Sequence, residues 1–230
     1  MPTPDAFDGD PILLLRQAVA MRKMPVSGFG AEMILDDLEI DPWQLQGKRV
    51  LDIASGSSDV VRVLRQSGVE AYGVDIAYAD LPRLHESAEQ FKAVMSPELK
   101  PKMSDLRNEI AAHPNRYVAG SALSLPVESD SIDQVISFGF FTSDPGAHLE
   151  FTARGVQEAL RVLRPGGKFD AGILLPPDLS KEAKYIETSQ KIGKNIRYVI
   201  KRATETGLAQ EAELIELPHS PGAHRIHMVK

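Results

Sequence analysis

Residues Arg49 to Ser58 read R-V-L-D-I-A-S-G-S-S, an apolar run with one acid inside it that passes directly into a loop of small residues. A run this nearly continuous in apolar residues predicts a strand buried on both faces, the situation of a central parallel strand covered by helices. From Asp59 to Gln66, apolar side chains fall at Val60, Val61 and Leu64, the spacing of a helix laid on a sheet. Ser57 or Ser58 is the expected cap of that helix and Gly68 its end. A second apolar run, Ala71 to Val74, closes on Asp75. Its distance from Asp52 is close to the roughly 20 residues between a glycine-rich turn and the ribose-binding acid of a dinucleotide fold. Strand, tight turn, helix and strand in this order predict an α/β chain with a doubly wound, mostly parallel sheet.

The small residues of the loop let backbone N–H groups approach a ligand that longer side chains would hold off. The N-terminus of the following helix adds partial positive charge, which favours an anionic group. The dinucleotide pattern requires Gly-x-Gly-x-x-Gly, and Gly56 is the one glycine between Asp52 and Asp59, so pyrophosphate is a poor fit. Asp75, at the carboxyl end of its strand, can accept from two vicinal hydroxyls, and it can equally cap the turn that follows. Asp52 lies within its strand, where an unpaired charge would be costly.

Three further segments follow in order. Tyr72 to Ile76 reads Y-G-V-D-I. Gly120 to Asp133 reads G-S-A-L-S-L-P-V-E-S-D-S-I-D and continues through Gln134 to Ser137 as a fourth strand. Glu158 to Phe169 reads E-A-L-R-V-L-R-P-G-G-K-F. With D-I-A-S-G-S-S, these resemble the ordered motifs of class I S-adenosylmethionine-dependent methyltransferases, from Arg49 to Leu175, about half the chain. The family's first motif is usually Asp-x-Gly-x-Gly-x-Gly, so Ala54 and Ser58 stand where it has glycine, and Ser121 stands where it has an aspartate.

The resemblance implies S-adenosylmethionine as cofactor and assigns roles residue by residue. Asp52 belongs near the methionine amino group, beside Ala54, Ser55, Gly56 and Ser58. Asp75 belongs on the ribose hydroxyls with Ile76 next to it, and Ser121 and Ala122 at the adenine amino group. Ser137 and Phe138 end the fourth strand, where methyl donor meets acceptor. An aromatic face attracts a cation such as a sulfonium, with Phe138 nearest by alignment, while core packing serves any one of these phenylalanines equally well. The R-P-G-G run reads as a structural turn.

At 230 residues the chain suits one α/β domain with a full core. Pro11 to Met24 and Phe29 to Leu38 read as two helices; the resemblance implies that residues 1–46 form an N-terminal helical cap or lid over the cofactor, and a helical pair that closes the sheet face is the equal alternative. Residues 47–230 then form the cofactor-binding domain, with a helical insertion over about 77–116 carrying helices near Leu81 to Met95 and Pro97 to Ala112. Trp43, the sole tryptophan, is expected to anchor entry to the first strand. Tyr117 to Ala119 reads as the third strand and Lys168 to Leu175 as the fifth. Ala212 to Leu217 and Arg225 to Val229 complete a seven-stranded sheet, the last strand antiparallel as in the family. A long helix from Leu179 to Thr206 carries seven basic and three acidic residues, which serve as a solvated face or as a dock for an acidic partner.

The formal charge of −6 argues against a dedicated nucleic-acid binder, which needs a basic surface. The absence of cysteine excludes disulfides, zinc-thiolate sites and thiol nucleophiles, and with them covalent pyrimidine C5 methylation. Asp5, Asp8 and Asp10 precede Ile12 to Leu15, and Arg16 interrupts that run, so neither a signal peptide nor a membrane span is expected and the cytoplasm is the default compartment. No metal is called for. The N-P-P-Y motif of amino-group nucleic-acid methylation is replaced by Ser137-Phe138-Gly139-Phe140. The expected reaction is therefore methyl transfer to a small-molecule acceptor, driven mainly by positioning. His148, His219 and His224 fall on loops at the expected active edge, where each can serve as a general base or simply as a surface histidine. Two other readings stay open: a catalytically silent methyltransferase-like binding module, in which Ser58 and Ser121 mark decay, and, less favoured, a nicotinamide-dependent oxidoreductase.

Overall fold

The computed structural model describes residues 30–82, 106–141, 148–174, 183–217 and 223–230. Seven strands, β1 (Arg49–Ile53), β2 (Glu70–Asp75), β3 (Tyr117–Ala119), β4 (Ile132–Phe138), β5 (Leu163–Leu174), β6 (Glu211–Glu216) and β7 (Ala223–Val229), form one sheet in the order β3-β2-β1-β4-β5-β7-β6. Neighbours pair in parallel from β3 to β5, and β7 runs antiparallel between β5 and β6.

β1 is buried from Val50 to Ile53 because the chain packs helices on both of its faces. Alternation along the strand sends Val50 and Asp52 one way and Leu51 and Ile53 the other. Val50 joins Ala71, Ile136 and Phe138 beneath α1 (Ala31–Asp37), α2 (Val60–Gln66) and α3 (Leu106–Ala112). Leu51 and Ile53 join Val135, Phe169 and Ile226 beneath α4 (Leu149–Val162) and α5 (Ala183–Glu205). The sheet is thus doubly wound, as expected. Its order reverses between β1 and β4, the switch point at whose carboxyl ends open α/β sheets take their ligands.

The long connection from β3 to β4 is held by α4. The buried Glu158 carboxylate accepts the Leu125 N–H at 2.8 Å, and Arg161 donates to Glu158 Oε2 at 2.9 Å and to the Leu125 and Val127 carbonyls at 3.0 and 2.9 Å. A buried acid that binds both a guanidinium and a backbone amide has its charge compensated where water cannot reach. The L-S-L-P-V stretch is therefore fixed to α4 by its polar groups as well as by Leu125.

Several expectations need correction. The R-P-G-G run does not leave the sheet as a turn: Leu163 already pairs with Ile132, and the register shifts before Gln134 meets Lys168. Gly166 absorbs the irregularity at φ +76°, and its N–H donates to the Lys230 carbonyl while Lys230 N–H donates to Gly167. Pairing with the end of β7 thus draws the run into β5. Neither Ser57 nor Ser58 caps α2; Asp59 holds the cap position, and its carboxylate accepts the Ala31 N–H at 2.7 Å and pairs with Arg62. Trp43 does not anchor the first strand, being 68% exposed on a 3-10 turn whose buried residue is Leu45.

The helix expected over Pro11–Met24 lies outside the described residues, as does most of the insertion; its last part is α3. Among the described residues no helix is long and apolar enough to cross a membrane.

One close approach limits substitution in the sheet. Gly172 stands opposite Phe138 in the β4–β5 register, and a Cβ added at Gly172 would lie 2.2 Å from the Phe138 ring. The ring is buried and has no free end to swing away. Gly172→Ala should therefore destabilise the protein by about 1–3 kcal/mol, the usual cost of overpacking. The expected observation is a lower urea midpoint with an unchanged m-value.

Candidate functional site

Beyond Ile53 the backbone turns sharply to leave the sheet. The Ala54 and Ser55 N–H groups both donate to the Val74 carbonyl, at 2.8 and 3.4 Å, so the loop starts fastened to β2. The turn uses left-handed backbone at Ala54 (φ +54°) and Gly56 (φ +53°). Glycine takes that conformation freely, whereas alanine does so under strain. Below the loop, Ser55 Oγ and the Tyr78 hydroxyl share a buried hydrogen bond of 2.6 Å. Gly73 makes room for it, since a Cβ there would stand 3.0 Å from Ser55 Oγ.

Asp75 joins the two halves of the site. Its Oδ2 accepts the Gly56 N–H at 2.8 Å, and its Oδ1 accepts the Ala77 N–H at 2.7 Å, capping the 3-10 turn Ile76–Ala79. The cap and the approach to the loop coexist in one carboxylate. Each oxygen retains a lone pair for a further donor, which suits a pair of vicinal hydroxyls. Burial raises its pKa above the usual carboxylate value, and the Ala77 and Gly56 amide bonds work against that rise.

Asp52 lies deeper, 5% exposed, on the face of β1 that carries Val50. Ser58 Oγ donates to its Oδ2 at 3.2 Å. Burial pushes its pKa up to about 8; the Ser58 bond opposes the shift and the nearby Asp75 carboxylate adds to it. No cation among the described residues compensates it. A buried carboxylate in this position suits a ligand that brings its own positive charge. Asp59 stands at the N-terminus of α2, but its carboxylate makes no cap bond to the helix and is engaged instead by the Ala31 N–H and Arg62.

The remaining predicted residues are placed as follows. The Gly120 N–H donates to the Asp75 carbonyl at 3.2 Å, which sets Ser121 and the buried Ala122 beside the end of β2. The Ser121 hydroxyl accepts the Leu123 N–H at 3.1 Å. Ser137 donates to the Ile53 carbonyl at 3.1 Å and ties β4 to the mouth of β1, with Phe138 buried next to it. Ile76 is exposed immediately after Asp75. The carboxyl edge therefore gathers Asp52, Ala54, Ser55, Gly56, Ser58, Asp75, Ile76, Ser121, Ala122, Ser137 and Phe138. Tyr78, which supports Ser55, had no signal in the sequence beyond its place three residues after Asp75.

The histidines are dispersed. His148 is exposed at the N-terminal cap of α4. His219 lies outside the described residues. His224 is inside β7 rather than on a loop, opposite Glu216, and lines a groove of about 500 Å³ with Arg197, Ile200 and Leu214 between α5 and β6. Three strand steps separate β7 from β1, roughly 15 Å at the usual strand spacing, so His224 is not joined to Asp52 and Asp75.

A family model described as a methyltransferase domain matches residues 51–170, slightly more than half of the chain. No curated protein matches at a significant level. Among solved structures, a SAM-dependent methyltransferase from Thermotoga maritima is 13% identical, with 95% of this chain and 96% of that chain covered at a TM-score of 0.50. A protein from Nostoc punctiforme, provisionally classed as an O-methyltransferase, is 16% identical, with 87% of this chain and 55% of that chain covered at a TM-score of 0.52. At such identities the likeness concerns the fold alone.

The strain at Ala54 is measurable. Left-handed backbone costs an L-residue roughly 1–2 kcal/mol, and glycine gives back roughly 0.5–1 kcal/mol of that through its greater freedom in the unfolded chain. Ala54→Gly should therefore stabilise the protein by about 0.5–1 kcal/mol, read as a higher urea midpoint. A lower midpoint would show that the methyl group packs more favourably than the backbone is strained.

Proposed function

This chain belongs to the methyltransferase-domain family, and we propose that its donor site spans the carboxyl ends of β1, β2 and β4 and that its acceptor is a small molecule. S-adenosylmethionine is the cofactor of this enzyme, and when bound it supplies an electrophilic methyl group on a sulfonium. The family match sets aside the oxidoreductase alternative.

The observation that carries the placement is the Asp75 carboxylate, which accepts the loop amide of Gly56 and the amide of Ala77 at the edge where open α/β sheets take ligands. In this reading Asp75 holds the ribose hydroxyls, Asp52 with Ser58 faces the methionine ammonium, Ile76 and Ser121 border the adenine, and Ser137 and Phe138 border the reacting methyl. Asp75 and the loop amides fix orientation, and orientation with proximity supplies about 7–11 kcal/mol toward transfer.

A small acceptor is supported by the acidic balance of the chain and by Ser137-Phe138-Gly139-Phe140 in place of N-P-P-Y. His148, at the start of α4 in the connection that follows β4, and His219 are candidates to take a proton from such an acceptor, whereas His224 is set apart by its place in β7. The same reading divides the chain into a helical cap over 1–46 and a donor-binding domain over 47–230, with an insertion over about 77–116. In the described part of that cap, the Ala31 amide is bonded to Asp59 next to the loop.

Two measurements test this. S-adenosylmethionine should raise the melting temperature and NAD should not, because a ligand that binds only the folded state stabilises it by mass action. A shift with NAD alone would reject the placement. Asp75→Ala should weaken S-adenosylmethionine binding roughly tenfold or more, as expected for losing hydrogen bonds to a charged group. Unchanged affinity by calorimetry, with the circular dichroism spectrum of the folded protein retained, would mean that Asp75 serves only as a cap.

A further inference from the structure

Ser58 is one of two departures from the glycine pattern of its loop, and its hydroxyl is spent on Asp52. A glycine there has no side-chain donor to give. Both residues are 5% exposed, and the bond between them is 3.2 Å. The groups facing Asp52 come from four elements: Ser58 from the loop, Asp75 from the end of β2, and the buried hydroxyls of Tyr78 in the 3-10 turn and Tyr117 at the start of β3. None carries a positive charge. A carboxylate so enclosed has one neutral donor and one like-charged neighbour, and it gains little from ionising until a cation arrives.

We propose that Asp52 holds a proton in the free protein, that binding of S-adenosylmethionine displaces it in favour of the ligand's ammonium group, and that Ser58 is the positioning residue that makes the displacement possible near neutral pH. This rests on the donor placement proposed above. The step balances simply: the Asp52 O–H bond breaks, the proton goes to solvent, and the carboxylate left behind accepts from Ser58 Oγ and from the incoming ammonium. The value of about 8 at Asp52 agrees with this geometry.

The consequence is a proton-linked affinity. The binding-competent form is the ionised one, so apparent affinity is reduced by the fraction of protein in that form. Between pH 7 and pH 6 the ionised fraction, and hence the affinity, should fall by about tenfold. A free α-amino group ordinarily titrates near 7.7–8.0, so in this window the ligand remains an ammonium and any proton released comes from the protein. The stability of the free protein has the opposite dependence. A carboxyl with a raised folded-state pKa contributes stability that is present below its unfolded value near 4 and is lost as pH rises through about 8.

Isothermal titration of the whole chain with S-adenosylmethionine at pH 6.5, in two buffers of different ionisation enthalpy, tests this. The wild type should release close to one proton per ligand bound. Asp52→Asn, which keeps the shape of the protonated acid, should release none and should lose the affinity change between pH 6 and pH 7. Ser58→Ala should bind about tenfold more weakly at pH 6.5, with its pH profile moved to higher pH, and Ser58→Thr should restore the wild-type profile. Binding without proton release, or a Ser58→Ala profile that matches the wild type, overturns the proposal and leaves the donor placement standing. Failure of the wild type to bind between pH 6 and pH 9 overturns both.

Discussion

A strand enclosed by partners on both flanks and by helices on both faces can hand its chain onward only at its end. That constraint at β1 determines everything around the site. Once the backbone leaves Ile53, its polar groups must be met within a few residues, and the structure meets them with groups from the two neighbouring strands. Val74 accepts two amides, Asp75 takes the Gly56 amide, and Ser137 supplies a hydroxyl to Ile53. A loop that would be mobile on its own is thereby held by the same bonds that close the sheet.

The two departures from glycine act in opposite directions. Ala54 adds a methyl group where the backbone prefers none and stores strain in the turn. Ser58 adds a hydroxyl where a buried carboxylate otherwise has no side-chain donor among the described residues. One is a cost borne by the fold; the other compensates an acid that the apolar strand would otherwise exclude. Local rules of strand composition and turn chemistry give way here together, as they do at sites kept for binding.

Much of this was legible in the residues. Nearly continuous apolar runs announced the central strands, the Asp52 and Asp75 spacing announced which ends would meet, Tyr117–Ala119 fell where the pattern put it, and the closing antiparallel strand ends at the expected Val229. What stayed hidden was side-chain direction. Ser58 reads as a helix cap until the turn at Ala54 and Gly56 rotates it toward Asp52, and no periodicity reports that rotation. Trp43 reads as an anchor because large aromatics usually are, yet the short turn at Pro42–Leu45 buries Leu45 instead. The R-P-G-G run reads as a turn because nothing local shows that Lys230 will pair with it. His224 looked like a loop residue because β7 begins earlier than its apolar pattern, at Ala223.

The position of β7 bears on how the sheet is assembled. In the chain β6 precedes β7, but in the sheet β7 separates β6 from β5. As the polypeptide emerges, β5 has β4 on one side, but its other edge, and β6 altogether, lack a partner until the residues from Ala223 onward are made, so that edge of β5 stays open throughout the synthesis of α5. Unpaired edges of this kind are templates for association with other chains. The β6–β7 ribbon is the more local pairing, and closing the shorter loop first costs less entropy than docking β7 alone. The sheet is then completed by a preformed hairpin arriving at β5, and any variant that slows that hairpin lengthens the interval in which aggregation competes with folding.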